Sequence, residues 1–168
     1  MSDAPACLVI ADESSEFPAA LTYAAQLAKI SGWRLVMLRV IEKADPAPWA
    51  SITDEMKRQA HDAAESLTQR FVADVWAASG VTAEPVLREG DLKPEVRKLL
   101  DEDASIKLVV LASASGIGGP GPLVSSLAKG GLGARPVPVL VVPGSLSADD
   151  IRGLALSLTH ASSADSSA

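Results

Sequence analysis

Cys7-Leu8-Val9-Ile10-Ala11-Asp12 is an unbroken apolar run that stops on a carboxylate. Alternating apolar and polar residues would mark a strand with one wet face. A continuous run marks a strand buried on both faces, as in a parallel sheet. Arg34-Leu35-Val36-Met37-Leu38-Arg39-Val40-Ile41 reads as the second strand, and Ile106-Lys107-Leu108-Val109-Val110-Leu111 as another buried one. Val81 to Leu87 is more polar and belongs nearer a sheet edge, and Val137 to Val142 is the last strand.

The segments between these runs carry helical spacing. Phe17, Leu21, Ala24 and Leu27 share a face, Ser14 and Ser15 offer an N-cap, Pro18 fits a first turn and Gly32 ends the segment. After the loop Asp45-Pro46-Ala47-Pro48, the stripe Ile52, Met56, Ala60, Ala63, Leu67, Phe71 and Val75 predicts a long helix against the core, with Trp49 and Trp76 packing it. Asp91 can cap a helix carrying Val96, Leu99 and Leu100, and a weak helix is expected around Leu123 to Lys129. The alternation calls for an α/β fold, an open parallel sheet with helices on both faces. Residues 5–144 form one domain. Residues 145–168 form an extension, with a helix over Ser145 to Leu158 capped by Ser147 and a disordered Ser/Ala tail.

Composition narrows the function. The 168 residues are 48 % hydrophobic and 21 % charged, which rules out a disordered chain. A formal net charge of −6 has the wrong sign for a non-specific nucleic-acid or anionic-membrane binder. The single cysteine, Cys7, excludes an internal disulfide or a cysteine-cluster metal site, and His61 and His160 lie far apart, so a catalytic triad is not expected. No targeting segment or apolar run of about 20 residues is visible, so a cytoplasmic protein is expected.

Prolines place the last strand. Pro136 and Pro138 are two apart, so their missing donors point the same way, most simply toward a free edge. Leu140 and Val142 share that parity and are expected to offer their N–H groups to the edge of a second copy.

In an open parallel sheet, ligands bind beyond the carboxyl ends of the strands, where strand order switches. Asp12 to Ser15 and the glycine-rich loop after Leu111 are expected to meet there, with the strands that precede them as central neighbours. Gly116-Ile117-Gly118-Gly119-Pro120-Gly121 contains G-x-G-x-x-G between a strand and a helix. A dinucleotide site also needs an acidic residue about 20 positions on, and that region is the strand at Val139 to Val142. A phosphate loop of another kind and a plain connection remain as readings. Asp12 is either an acceptor for a ligand hydroxyl or amine, or a turn residue bonding the next amides. Ser126-Leu127-Ala128-Lys129 matches S-x-x-K without its companion motifs.

Taken together, the chain resembles the universal stress protein family over roughly residues 5–144. The resemblance rests on Leu8-Val9-Ile10-Ala11-Asp12 before a helix, Leu38-Arg39-Val40-Ile41-Glu42, Leu108-Val109-Val110-Leu111-Ala112-Ser113 with its glycine-rich loop, and Pro138-Val139-Leu140-Val141-Val142. It implies a Rossmann-like, adenine nucleotide alpha hydrolase-like fold, strand order 3-2-1-4-5, a homodimer through the last strand, and a small regulatory or binding module. It also implies an adenine nucleotide, ATP or AMP, with Asp12 and Val40 at the adenosine and Ala112, Ser113, Ser115, Gly116, Gly118, Gly119, Ser125 and Ser126 at the phosphate. The family's ATP-binding pattern is G-x2-G-x9-G-[ST]. Here its glycine positions fall on Ala112, Ser115 and Ser125, and its hydroxyl on Ser126. The UspA-like branch, which holds no nucleotide, is the alternative. Enzymes on related folds, nucleotidyl transferases or ATP pyrophosphatases, carry H-x-G-H or S-G-G-x-D-S near the first strand, where this chain has Asp12-Glu13-Ser14-Ser15.

Overall fold

The computed structural model describes residues 4–43, 54–114, 124–125, 132 and 135–163. In chain order these form β1 (Ala6–Ala11), α1 (Phe17–Ser31), β2 (Arg34–Ile41), α2 (Asp54–Ser79), β3 (Ala83–Glu89), α3 (Leu92–Glu102), β4 (Ile106–Ser113), β5 (Val139–Pro143) and α4 (Ala148–Ser163). The strands make one parallel sheet in the order β3-β2-β1-β4-β5, as the resemblance implies. The glycine-rich loop and most of the expected helix at Leu123 to Lys129 lie outside the described residues; Val124 and Ser125 are helical.

β1 is buried along its whole length. Its side chains alternate between two cores, as a pleated strand requires. Cys7, Val9 and Ala11 pack with α1, the C-terminal half of α2 and Ile151 of α4, while Ala6, Leu8 and Ile10 pack with Val96, Leu99 and Leu100 of α3. Small residues let α1 lie close on the sheet: Ala20, Ala24, Ala25 and Ala28 are all buried. Phe17 fills the remaining space and meets Phe71 of α2 edge to face, ring centres 4.8 Å apart.

The start of α1 differs from expectation. Glu16 occupies the N-cap position without a side-chain cap. Ser14 is drawn instead to Asp12, whose Oδ1 accepts both its N–H (2.9 Å) and its hydroxyl (2.5 Å). A carboxylate is the stronger acceptor, and it lies two residues away. At the other end Gly32 adopts the left-handed conformation (φ 70°), and its N–H and that of Trp33 close on the Ala28 carbonyl.

α2 also departs from its stripe. Val75 is buried and Phe71 half-buried, but Met56, Ala60 and Ala63 are exposed, and Ile52 and Trp49 lie outside the described residues. The helix is 26 residues long and its N-terminal half overhangs the strand ends. Trp76, expected to pack, is 59 % exposed, because its neighbour Val75 takes the inward position.

Both sheet edges carry prolines. At β3 the Gly90 N–H donates to the Ile41 carbonyl, so even-numbered residues face β2 and Pro85 turns its missing donor outward. At β5 the parity corrects the expectation. Val109 N–H donates to the Pro138 carbonyl and Gly144 N–H to the Ser113 carbonyl, so Leu140 and Val142 face inward to β4. Pro136 and Pro138 precede the paired residues, where a missing donor breaks no ladder bond. The groups on the open edge are those of Val139 and Val141, with Pro143 closing the strand.

At the opposite end of the sheet Arg135 donates to the carbonyls of Leu100 and Ile106, both at 2.9 Å, tying the approach to β5 onto the end of α3. α4 begins with a reciprocal cap. Asp150 accepts from Ser147 N–H and hydroxyl, and its own N–H returns to Ser147 Oγ; these bonds hold the Asp150 carboxyl below its ordinary range. No helix among the described residues is long and apolar enough to cross a membrane.

Three outcomes follow from this packing. Phe17→Ala should cost about 3–5 kcal/mol in urea unfolding, the usual loss for a fully buried ring. Gly144→Ala should cost about 1–3 kcal/mol, because a Cβ there would lie 2.3 Å from Glu16 Cγ and 3.0 Å from its Cα. Burial pushes the Cys7 thiol up from 9.0 to about 11. The neutral thiol is thus favoured, and its contribution is intact below the ordinary value and lost as pH rises toward the shifted one. Native protein at pH 8 should resist iodoacetamide that labels the urea-unfolded chain.

Candidate functional site

The carboxyl ends of β1, β2 and β4 open on one side of the sheet. β1 ends at Ala11, paired with Arg39 of β2, and the register of Val9 with Val110 carries Ala112 level with Ala11 on the other flank. The central strand therefore delivers Asp12 into a crevice between two neighbours. β4 ends at Ser113 on the same edge.

On the β2 side the crevice deepens into a cavity of about 610 Å3. Asp12 and Val40 both line it, so two of the expected adenosine residues share one wall. Ile10 and Leu92 contribute apolar surface, and the overhanging half of α2 closes the far side with Ala60, Ala63, Ala64 and Leu67. Three alanines keep this wall low, and the apolar stripe of α2 meets the cavity at Ala60, Ala63 and Leu67 instead of the core.

Ala112 and Ser113, expected at the phosphate, end β4 on the other flank of β1 and do not line this cavity. Ser125 is half-buried and helical. Ser115, Gly116, Gly118, Gly119 and Ser126 lie outside the described residues.

Asp12 shows the turn reading and leaves one oxygen over. Oδ1 is occupied by Ser14, which fixes the carboxylate as a turn residue does. Oδ2 makes no hydrogen bond among the described residues and remains an acceptor. Around it the charges are mixed: Asp12, Glu13 and Glu42 bring three carboxylates to the cavity against the guanidinium of Arg39.

Arg39, Glu13 and the alanines of α2 escaped the sequence reading. Arg39 was visible as a charge within an apolar strand, but its facing could not be read without the fold. His61, Asp62 and Glu65 place ligand atoms within 4.8 Å of one another on the outer side of α2. Asp62 and Glu65 are exposed, which acidic helix faces commonly are, so the group defines no centre.

The sequence matches the profile of the universal stress protein family over residues 6–143. No curated protein matches the chain. A universal stress protein family member from Burkholderia pseudomallei is similar in structure, with TM-score 0.64 and 23 % identity over 85 % of this chain and 98 % of its own. A universal stress protein solved in complex with cAMP has TM-score 0.61 and 21 % identity, covering 86 % of this chain and 100 % of its own. The universal stress protein from Archaeoglobus fulgidus in complex with dAMP has TM-score 0.53 and 17 % identity, covering 83 % and 97 %. At these identities the likeness carries the fold.

Proposed function

The chain belongs to the universal stress protein family, and we propose that it is a binding module that holds an adenine nucleotide, AMP or ATP, at the carboxyl ends of β1, β2 and β4. The observation that carries this reading is the cavity that unites Asp12, Val40 and the alanine wall of α2. Asp12 Oδ2 accepts from ribose hydroxyls, the backbone around Val40 meets the base, and the alanines flank the ring. The phosphate extends across β1 toward Ala112 and Ser113, where the loop carrying Ser115, Gly116, Gly118 and Gly119 supplies backbone N–H groups, with Ser125 and Ser126 beyond it. The complexes of two similar folds with cAMP and dAMP support a single-phosphate ligand.

The module's role in this reading is regulatory, with at most slow nucleotide hydrolysis. The titratable groups that line the cavity are three carboxylates and one guanidinium, a set suited to holding hydroxyls and ring edges. A second reading, a UspA-like protein with an empty crevice, is favoured by one observation: Ser125 stands where the ATP-binding pattern has glycine, and a side chain there crowds a phosphate.

We further propose that residues 5–144 are the domain and 145–168 its extension, which packs on the domain through α1, and that the protein is cytoplasmic. A homodimer would form through the open edge of β5 at Val139 and Val141, both of which are about two-fifths exposed (40 % and 38 %).

Calorimetry with AMP, ADP and ATP tests the nucleotide reading. Asp12→Ala should weaken binding about tenfold or more, the cost of removing a charged acceptor. Ala63→Trp, on the exposed cavity wall, should block binding and leave the melting temperature unchanged. Absence of heat with every nucleotide would favour the empty crevice.

A further inference from the structure

Arg39 is a cation set into a core strand. Leu38 and Val40 beside it are buried, and only 14 % of its own side chain is exposed. Arg34, at the start of the same strand, shows how the chain satisfies such a group. Its Nε and one amino group bond Glu84, and the other amino group bonds Ser105. Arg39 has much less. Among the described residues its one ion pair is to Glu13, a rim residue with 70 % of its side chain exposed, and its Nε is buried with no hydrogen-bond partner. A buried donor without an acceptor is costly, and such groups in native folds call for an explanation.

The position of the cavity supplies one. Arg39 lines it together with Val40 and the alanine wall, on the β2 side of Asp12. β4 lies on the opposite side of β1. A ligand lying across the carboxyl ends with its phosphate toward β4 therefore turns its base toward Arg39. A guanidinium is a planar fork of donors, suited to acceptors on the edge of a ring.

We propose that Arg39 is an anchor for the base, donating to acceptor atoms on its ring edge. Glu13 is the stand-in acceptor that holds the guanidinium in the empty crevice and releases it when the ring enters. Release lets the guanidinium turn, so that Nε gains a partner as well. This inference rests on the nucleotide reading above and names the end of the ligand that Arg39 meets.

Calorimetry with AMP, ADP and ATP on the native chain, Glu13→Gln, Arg39→Met and the double variant tests it. Glu13→Gln sits on the surface and should tighten all three nucleotides about two- to fivefold, the range expected from removing an exposed competing ion pair. Arg39→Met should weaken all three equally, by about tenfold, and in its background the Glu13→Gln effect should vanish. Arg39→Gln, which keeps a donor in the cavity, serves if Arg39→Met melts early, and should show a smaller loss that is again equal across the three nucleotides. Three results would overturn the proposal: tightening by Glu13→Gln that persists without Arg39, which is plain charge repulsion; a loss that grows from AMP to ATP, which is a phosphate contact; or no change in either single variant. If the native chain binds none of the three, the nucleotide reading itself fails, a result distinct from intact binding that ignores Arg39.

Discussion

Everything in this molecule is hung on β1. Its six residues are buried on both faces, and parallel ladders to β2 and β4 occupy both its sides. A strand so placed cannot slip by one residue without exchanging its two sets of apolar side chains between different helices. Register is therefore fixed, and with it the height at which Asp12 emerges. The crevice is a by-product of this constraint: the backbone leaves the sheet at its centre, where the neighbouring chains depart to opposite sides.

The second requirement is that α2 be too long for the strands it covers. Its C-terminal half packs through Phe71 and Val75, and its N-terminal half lines the cavity with Ala60, Ala63 and Ala64. Small residues on the overhang turn that surplus into a walled cavity instead of a collapsed one. One helix thus stabilises the fold with one end and shapes the site with the other.

Much of this was legible in the residues. Unbroken apolar runs located β1, β2 and β4, and the polar character of the third run put it at an edge. Features that depend on which way a residue faces were not. The stripe on α2 is the same pattern whether it meets a core or a cavity. Trp76 looked like a packing residue because its type, not its angle, was available. Ser14 lost its capping role to a carboxylate two residues away, a competition between local acceptors that spacing cannot rank. The parity of β5 was inferred from prolines that fall just before the ladder begins, so Leu140 and Val142 face β4 and Val139 and Val141 face out. The site was half visible: Asp12 and Val40 share the cavity, whereas Arg39 needed the fold before its place there and its unpaired Nε among the described residues could be seen.

The two rims of the sheet are not equivalent. One is interrupted midway by Pro85, which offers no hydrogen where an incoming ribbon would need one. The other presents Val139 and Val141 with their main-chain groups available until Pro143 stops the row. A second copy that paired at the β5 rim would use that row up, and at the other rim Pro85 would leave an incoming strand one donor short, which weakens further pairing without barring it.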